Sequence, residues 1–152
     1  MNLELPLTFL LGLISALFIL VTSMRVQEVI RSFDELCQII RETADLGVKY
    51  WVSDSEKDKI SHEALIIGHQ QLINLTLKSL AGRFNKSKQQ DWVGSLEPFI
   101  DALTGGNFGE RELKQEPIRA QQVQAEMALL IDKVRNYQKS TLKYRKIIYY
   151  TF

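Results

Sequence analysis

Cys37 is the only thiol in 152 residues, so no intramolecular disulfide can hold this chain together, and a reducing compartment suits it. Proline is nearly as scarce. Only Pro6, Pro98 and Pro117 occur, and between Gly12 and Gly47 neither proline nor glycine interrupts the sequence. An excess of either charge is also missing: 19 Lys plus Arg stand against 18 Asp plus Glu, and a net charge of +1 leaves no global electrostatic footprint for nucleic acid. With 45% hydrophobic residues the chain is neither disordered nor collagen-like, and its length matches one domain with a core of its own.

The near-neutral total hides a partition. Glu4 is the only charged residue in positions 1–24, and the run from Leu5 to Met24 carries no charge at all. As a helix, those twenty residues cover roughly 30 Å, the hydrocarbon thickness of a bilayer. Pro6 falls in the first turn, where its missing N–H costs nothing. A cleaved signal peptide would carry Lys or Arg ahead of a shorter apolar core, and neither condition is met. The expectation is a retained transmembrane helix, giving two regions: residues 1–24 as N-terminal tail and span, and residues 25–152 as a soluble body.

Arg25 and Arg31 follow the run and no basic residue precedes it, which orients the body toward the cytoplasm and exports the N-terminus. A bacterial inner membrane fits this arrangement, and on a cytoplasmic body the triplets Asn74-Leu75-Thr76 and Asn85-Lys86-Ser87 have no meaning as glycosylation signals. Within the span, Thr8, Gly12 and Ala16 recur every four residues. That stripe of small side chains is the candidate face for close packing of membrane helices.

Beyond the membrane the periodicity is helical. Val26, Val29, Ile30, Phe33, Leu36, Cys37, Ile40, Ala44, Val48 and Trp51 share one face, so the first helix is expected to run unbroken from about Leu5 to Trp51, on the order of 70 Å. Ser53-Asp54-Ser55-Glu56 has the spacing of a capping box, with Ser53 as the cap of a second helix over about 56–83. That helix carries two adjacent stripes, Leu65-Gly68-Leu72-Leu75 and Ile66-His69-Ile73-Leu77-Leu80-Phe84, a width that implies burial among neighbours. Trp92, Val93, Leu96, Phe99, Ile100 and Leu103 mark a shorter third helix, bent or restarted near Gly94-Ser95 because Pro98 is tolerated only in a first turn. It stops at Gly105-Gly106, and Pro117 opens a last helix running to the chain end. The fold class is all-α: one N-terminal transmembrane helix continuing into an up-and-down bundle of about four helices.

Candidates for chemistry are few. His62 and His69 lie two turns apart on one face, about 10 Å along the axis, too far to share an ion unaided. Neither has a Glu or Asp three residues before it, as a di-metal carboxylate bundle requires. Both are expected to be partly buried imidazoles, and Cys37 a small core residue. No metal or cofactor is expected. Gly105-Gly106-Asn107-Phe108-Gly109 follows a helix rather than a strand and lacks the Lys-Ser/Thr of a phosphate loop. It is expected to be a turn that presents Asn107 and an exposed Phe108 as a candidate partner contact.

The clearest asymmetry comes last. Residues 133–152 hold six basic side chains and no acidic one. Lys139, Lys143, Arg145 and Lys146, followed by Tyr149, Tyr150 and Phe152, have the composition of a membrane-surface contact with anionic headgroups. The same charges also favour the negative end of a helix dipole. No acid–base pair or activated nucleophile is visible, so the chain is not expected to be an enzyme. The expected function is a single-pass membrane-anchored interaction module, a small subunit, adaptor or assembly factor whose partners are the lipid bilayer and a protein or further copies of itself. The alternative is a sensor or effector whose bundle controls self-assembly of the membrane helix, in signalling or membrane permeabilisation.

Overall fold

The computed structural model describes residues 4–81, 86–110 and 115–150, and the side chains of 9–80, 94–110 and 115–142. Four α-helices follow one another: α1 Glu4–Val52, α2 Glu56–Ala81, α3 Lys86–Thr104 and α4 Pro117–Tyr150. No strand occurs among the described residues. Expected and observed limits of α1 agree within a residue, because neither proline nor glycine interrupts positions 13–46 and the three-and-four spacing is sustained from Val26 to Trp51.

The chain divides into two compact units, Met1–Arg31 and Ser32–Phe152. In the first, the large apolar side chains from Phe9 to Val21, with Met24, are exposed. They fall in a helix long and apolar enough to cross a membrane. Two of its hydroxyl groups are satisfied within the helix itself. Ser15 Oγ donates to the Leu11 carbonyl at 2.9 Å and Thr22 Oγ1 to the Phe18 carbonyl at 2.8 Å, so neither needs water.

In the second unit, the face of α1 from Phe33 to Trp51 is buried together with Ile66, Ile73 and Leu80 of α2, Leu96, Phe99, Ala102 and Leu103 of α3, and Ala120, Val123, Leu130, Ile131 and Val134 of α4. Side-chain contacts give the helix directions. Lys59 lies over the Tyr50 ring while His69 meets Thr43, so α2 runs antiparallel to α1. Arg119 bonds to Asp101 and Lys133 to Ser95, so α4 runs antiparallel to α3. Trp51 faces Arg119 and Gly47 faces Val123, so α4 is also antiparallel to α1.

Three local expectations need correction. The cap of α2 is Ser55, not Ser53: the Asp58 amide donates to Ser55 Oγ at 3.3 Å, and the Lys59 amide to the Ser55 carbonyl at 3.0 Å. Ser53 Oγ instead accepts the Ser55 amide at 3.2 Å, because α1 persists to Val52 and leaves Ser53 to shape the turn. Second, α3 is one helix with Pro98 inside it and does not restart at Gly94. Pro98 and Gly94 are both exposed, so the Gly94 carbonyl that loses its partner faces water, and glycine leaves the ring room. Third, only one stripe of α2 is buried. Leu65, Leu72 and Leu75 keep 47%, 47% and 62% of their surface exposed. A bundle helix presents one face to the core, and Ile66, Ile73 and Leu80 already occupy it.

Candidate functional site

The densest set of specific contacts joins the C-terminal end of α1 to the turn after α3 and the first turn of α4. The helical periodicity of α1 puts Trp51 in the core at 1% exposure, and Tyr50 beside it at 2%. Their rings meet edge to face at 4.8 Å. Phe108 completes the cluster, 4.8 Å from the Tyr50 ring and 6.3 Å from that of Trp51. The loop therefore tucks Phe108 inward, half-buried, where the sequence pattern implied an exposed side chain. Asn107 is likewise half-buried.

Arg119 locks this arrangement. Its guanidinium stacks over the Trp51 ring at 5.0 Å, its Nη1 donates to the Asp101 carbonyl at 3.0 Å, and its Nε pairs with Glu116 at 3.5 Å. One cation thereby satisfies the C-terminal end of α3, where the helix dipole favours positive charge. Gly106, at φ 63°, permits the close approach, since a Cβ there would press into the same guanidinium. The Glu116 amide donates to the Trp51 carbonyl at 2.7 Å and so caps α1. The Trp51 indole N–H, by contrast, is buried with no acceptor.

Beside the cluster lies a cleft of about 280 Å³ lined by Tyr50, Glu56, Lys59, Ile60, Glu63, Gly109 and Glu110. The Tyr50 hydroxyl accepts the Gly109 amide at 2.9 Å. Burial raises the Tyr50 pKa above its ordinary value of 10, the Gly109 hydrogen bond opposes that shift, and Glu63, Glu116 and Glu110 add to it. The phenol therefore stays protonated at neutral pH. Burial likewise raises Cys37 above 9 despite nearby Arg41 and Arg135, which makes it a poor nucleophile.

Both shifts act on stability in the same direction. A folded-state pKa above the unfolded value means that the native state holds its proton more tightly. The associated stability is complete below the unfolded pKa and is lost as pH rises through the folded one. Urea midpoints should therefore fall from about pH 9 upward, and Cys37→Ala should remove the earlier part of that fall. An unchanged alkaline profile in Cys37→Ala would show that the thiol does not contribute.

His69 Nδ1 lies 3.3 Å from Thr43 Oγ1, while His62 Nδ1 is buried without a partner. Among the described residues, no three His, Cys, Asp or Glu side chains come together as a metal cluster would require. Gly12 and Ala16 lie exposed on α1, with open space around Gly12; the Thr8 side chain is outside the described residues. Lys139 is exposed on α4. The helix continues through Lys143, Arg145, Lys146, Tyr149 and Tyr150, whose side chains are outside the described residues, as is all of Phe152.

Arg119 and Tyr50 escaped the sequence analysis. The Tyr50–Gly109 hydrogen bond joins positions 59 apart, and no local spacing announces such a pair. The only hint was a lone Arg in the first turn of a helix opened by Pro117, at the end where the dipole disfavours a cation. Comparison with protein-family models, with curated proteins and with solved structures finds no match to this chain.

Proposed function

We propose that this chain is a single-pass membrane-anchored helical interaction module that serves as a small subunit, adaptor or assembly factor for a larger partner. Residues 1–24 cross a bacterial inner membrane with the N-terminus exported. Residues 25–152 form an up-and-down bundle on the cytoplasmic side. The observation that carries this reading is the continuity of α1, one helix of 49 residues that is uncharged from Leu5 to Met24, exposes its large apolar side chains from Phe9 to Val21 and supplies core residues to the larger unit near its end. An exposed uncharged segment of that length is stable in hydrocarbon and costly in water. The absence of an activated nucleophile at Cys37 and the protonated state of Tyr50 favour binding over catalysis.

The basic end of α4 is proposed as a contact with anionic lipid. In the larger unit α4 runs antiparallel to α1, so Lys139 lies toward the end of that unit where α1 enters. Each Lys or Arg near an anionic surface contributes about 1 kcal/mol. Lys143, Arg145 and Lys146, followed by Tyr149, Tyr150 and Phe152, have the composition for it.

Fractionation tests the anchor, and protease tests the orientation. The full chain should stay in the membrane pellet after carbonate extraction, and its body should be cut by protease only once spheroplasts are lysed. Release by carbonate would remove the anchor, and cleavage in intact spheroplasts would reverse the orientation.

A further inference from the structure

The exposed stripe on α2 is apolar along its length. Leu65, Gly68, Leu72 and Leu75 recur at three, four and three residues, the spacing of the inner positions of a two-stranded coiled coil. Leu65, Leu72 and Leu75 are each close to or above half exposed, and a Cβ at Gly68 would meet nothing within 4 Å. No charged residue occurs anywhere from Ala64 to Leu77. Solvent-facing helix surfaces ordinarily carry charges at such positions, and a continuous apolar seam marks a contact.

We propose that this seam binds the same seam of a second copy of this chain, with the two α2 helices parallel and in register. Three observations select that occupant. Residues flanking a coiled-coil seam choose the partner by charge, and here they are Ala64, His69, Gln71 and Thr76. Two identical helices therefore meet without like-charge repulsion, and no charge pattern recruits a different chain. The parallel arrangement also keeps both apolar N-terminal segments in one bilayer, and to this extent the inference rests on the proposed anchor. Finally, the seam leaves on the order of 300 Å² of apolar side chain open per chain, about a third of what a standard interface takes from each partner. A contact of that size is weak between freely diffusing molecules. Confinement to a membrane raises the effective concentration.

Cross-linking of the full chain in its native membrane decides the proposal. In a Cys37→Ala background, Leu72→Cys and Leu75→Cys would be treated with a short bis-maleimide and compared with Asn74→Cys, which is equally open to reagent but turned away from the seam. Several-fold more covalent dimer is expected from the seam positions than from position 74. Equal yields, or no dimer at any position, would overturn the proposal. Orientation is read by co-expressing differently tagged Leu65→Cys and Leu75→Cys chains. In a parallel pair those positions are about 15 Å apart along the axis and should not join, so efficient mixed dimers would overturn the parallel register. Circular dichroism on each variant identifies any that fails to fold, and the remaining seam position then gives the result. Carbonate extraction of the same membranes separates failure of the dimer from failure of the anchor: an unlinked chain that stays in the pellet refutes the dimer alone.

Discussion

Trp51→Ala is expected to lower the stability of the bundle by about 3–5 kcal/mol, the usual cost of deleting a fully buried large aromatic. The indole is 1% exposed and touches three elements at once: Tyr50 on its own helix, Phe108 in the loop after α3, and Arg119 at the start of α4. Removing it opens a cavity and also takes away the surface on which the Arg119 guanidinium lies. Trp51→Phe should cost much less. It keeps an aromatic face for the cation and deletes an indole N–H that is buried without an acceptor, a group whose desolvation costs about 1–3 kcal/mol. Urea denaturation of the full chain in mild detergent, followed by circular dichroism, measures both. A midpoint for Trp51→Ala within experimental error of the parent would mean that the cluster does not hold α1 to α4. Equal losses for the two variants would mean that the indole N–H has an acceptor after all.

Gly47 is where adding volume, rather than removing it, should do the most damage. It sits inside α1, and a Cβ there would run into Leu103 Cδ2 of α3 and approach Val123 Cγ1 of α4 to 3.3 Å. Leu103 and Val123 are both fully buried, so neither has space to swing aside. Two opposing terms set the outcome. Alanine gains about 1 kcal/mol over glycine in helix propensity, and overpacking a closed core costs about 1–3 kcal/mol. Gly47→Ala should therefore be destabilising by about 1 kcal/mol net, and Gly47→Val, with a branched Cβ and less propensity gain, by about 3 kcal/mol. Helix content at low urea should stay unchanged in both variants while the midpoints fall in that order. A rise in midpoint for Gly47→Ala would show that propensity outweighs packing and that the three helices are not in close contact at this point.

Sequence alone determined the elements and the apolar run at the start of α1. The three-and-four spacing from Val26 to Trp51, the proline at position 117 and the glycine pair at 105–106 are local signals, and helix formation is governed by groups within a few residues of one another. The uncharged run from Leu5 to Met24 is likewise a property of composition, legible without any neighbour. Pro98 marks where local logic stops. Its penalty is real, but packing of Leu96, Phe99 and Leu103 on α4 outweighs it and carries the helix through.

What only the tertiary structure decided is which groups meet. Two stripes on α2 are nearly equivalent in sequence, and the limited space around a four-helix core buried Ile66 and Ile73 while leaving Leu65, Leu72 and Leu75 outside. Phe108 reads as exposed from its glycine-rich surroundings, but two aromatic rings from a helix more than fifty positions earlier draw it in. Arg119 becomes a fastening only because the end of α3, the end of α1 and the start of α4 arrive together. The Asp101 carbonyl it satisfies and the Trp51 face it covers are supplied by chain segments whose proximity depends on closure of the whole core.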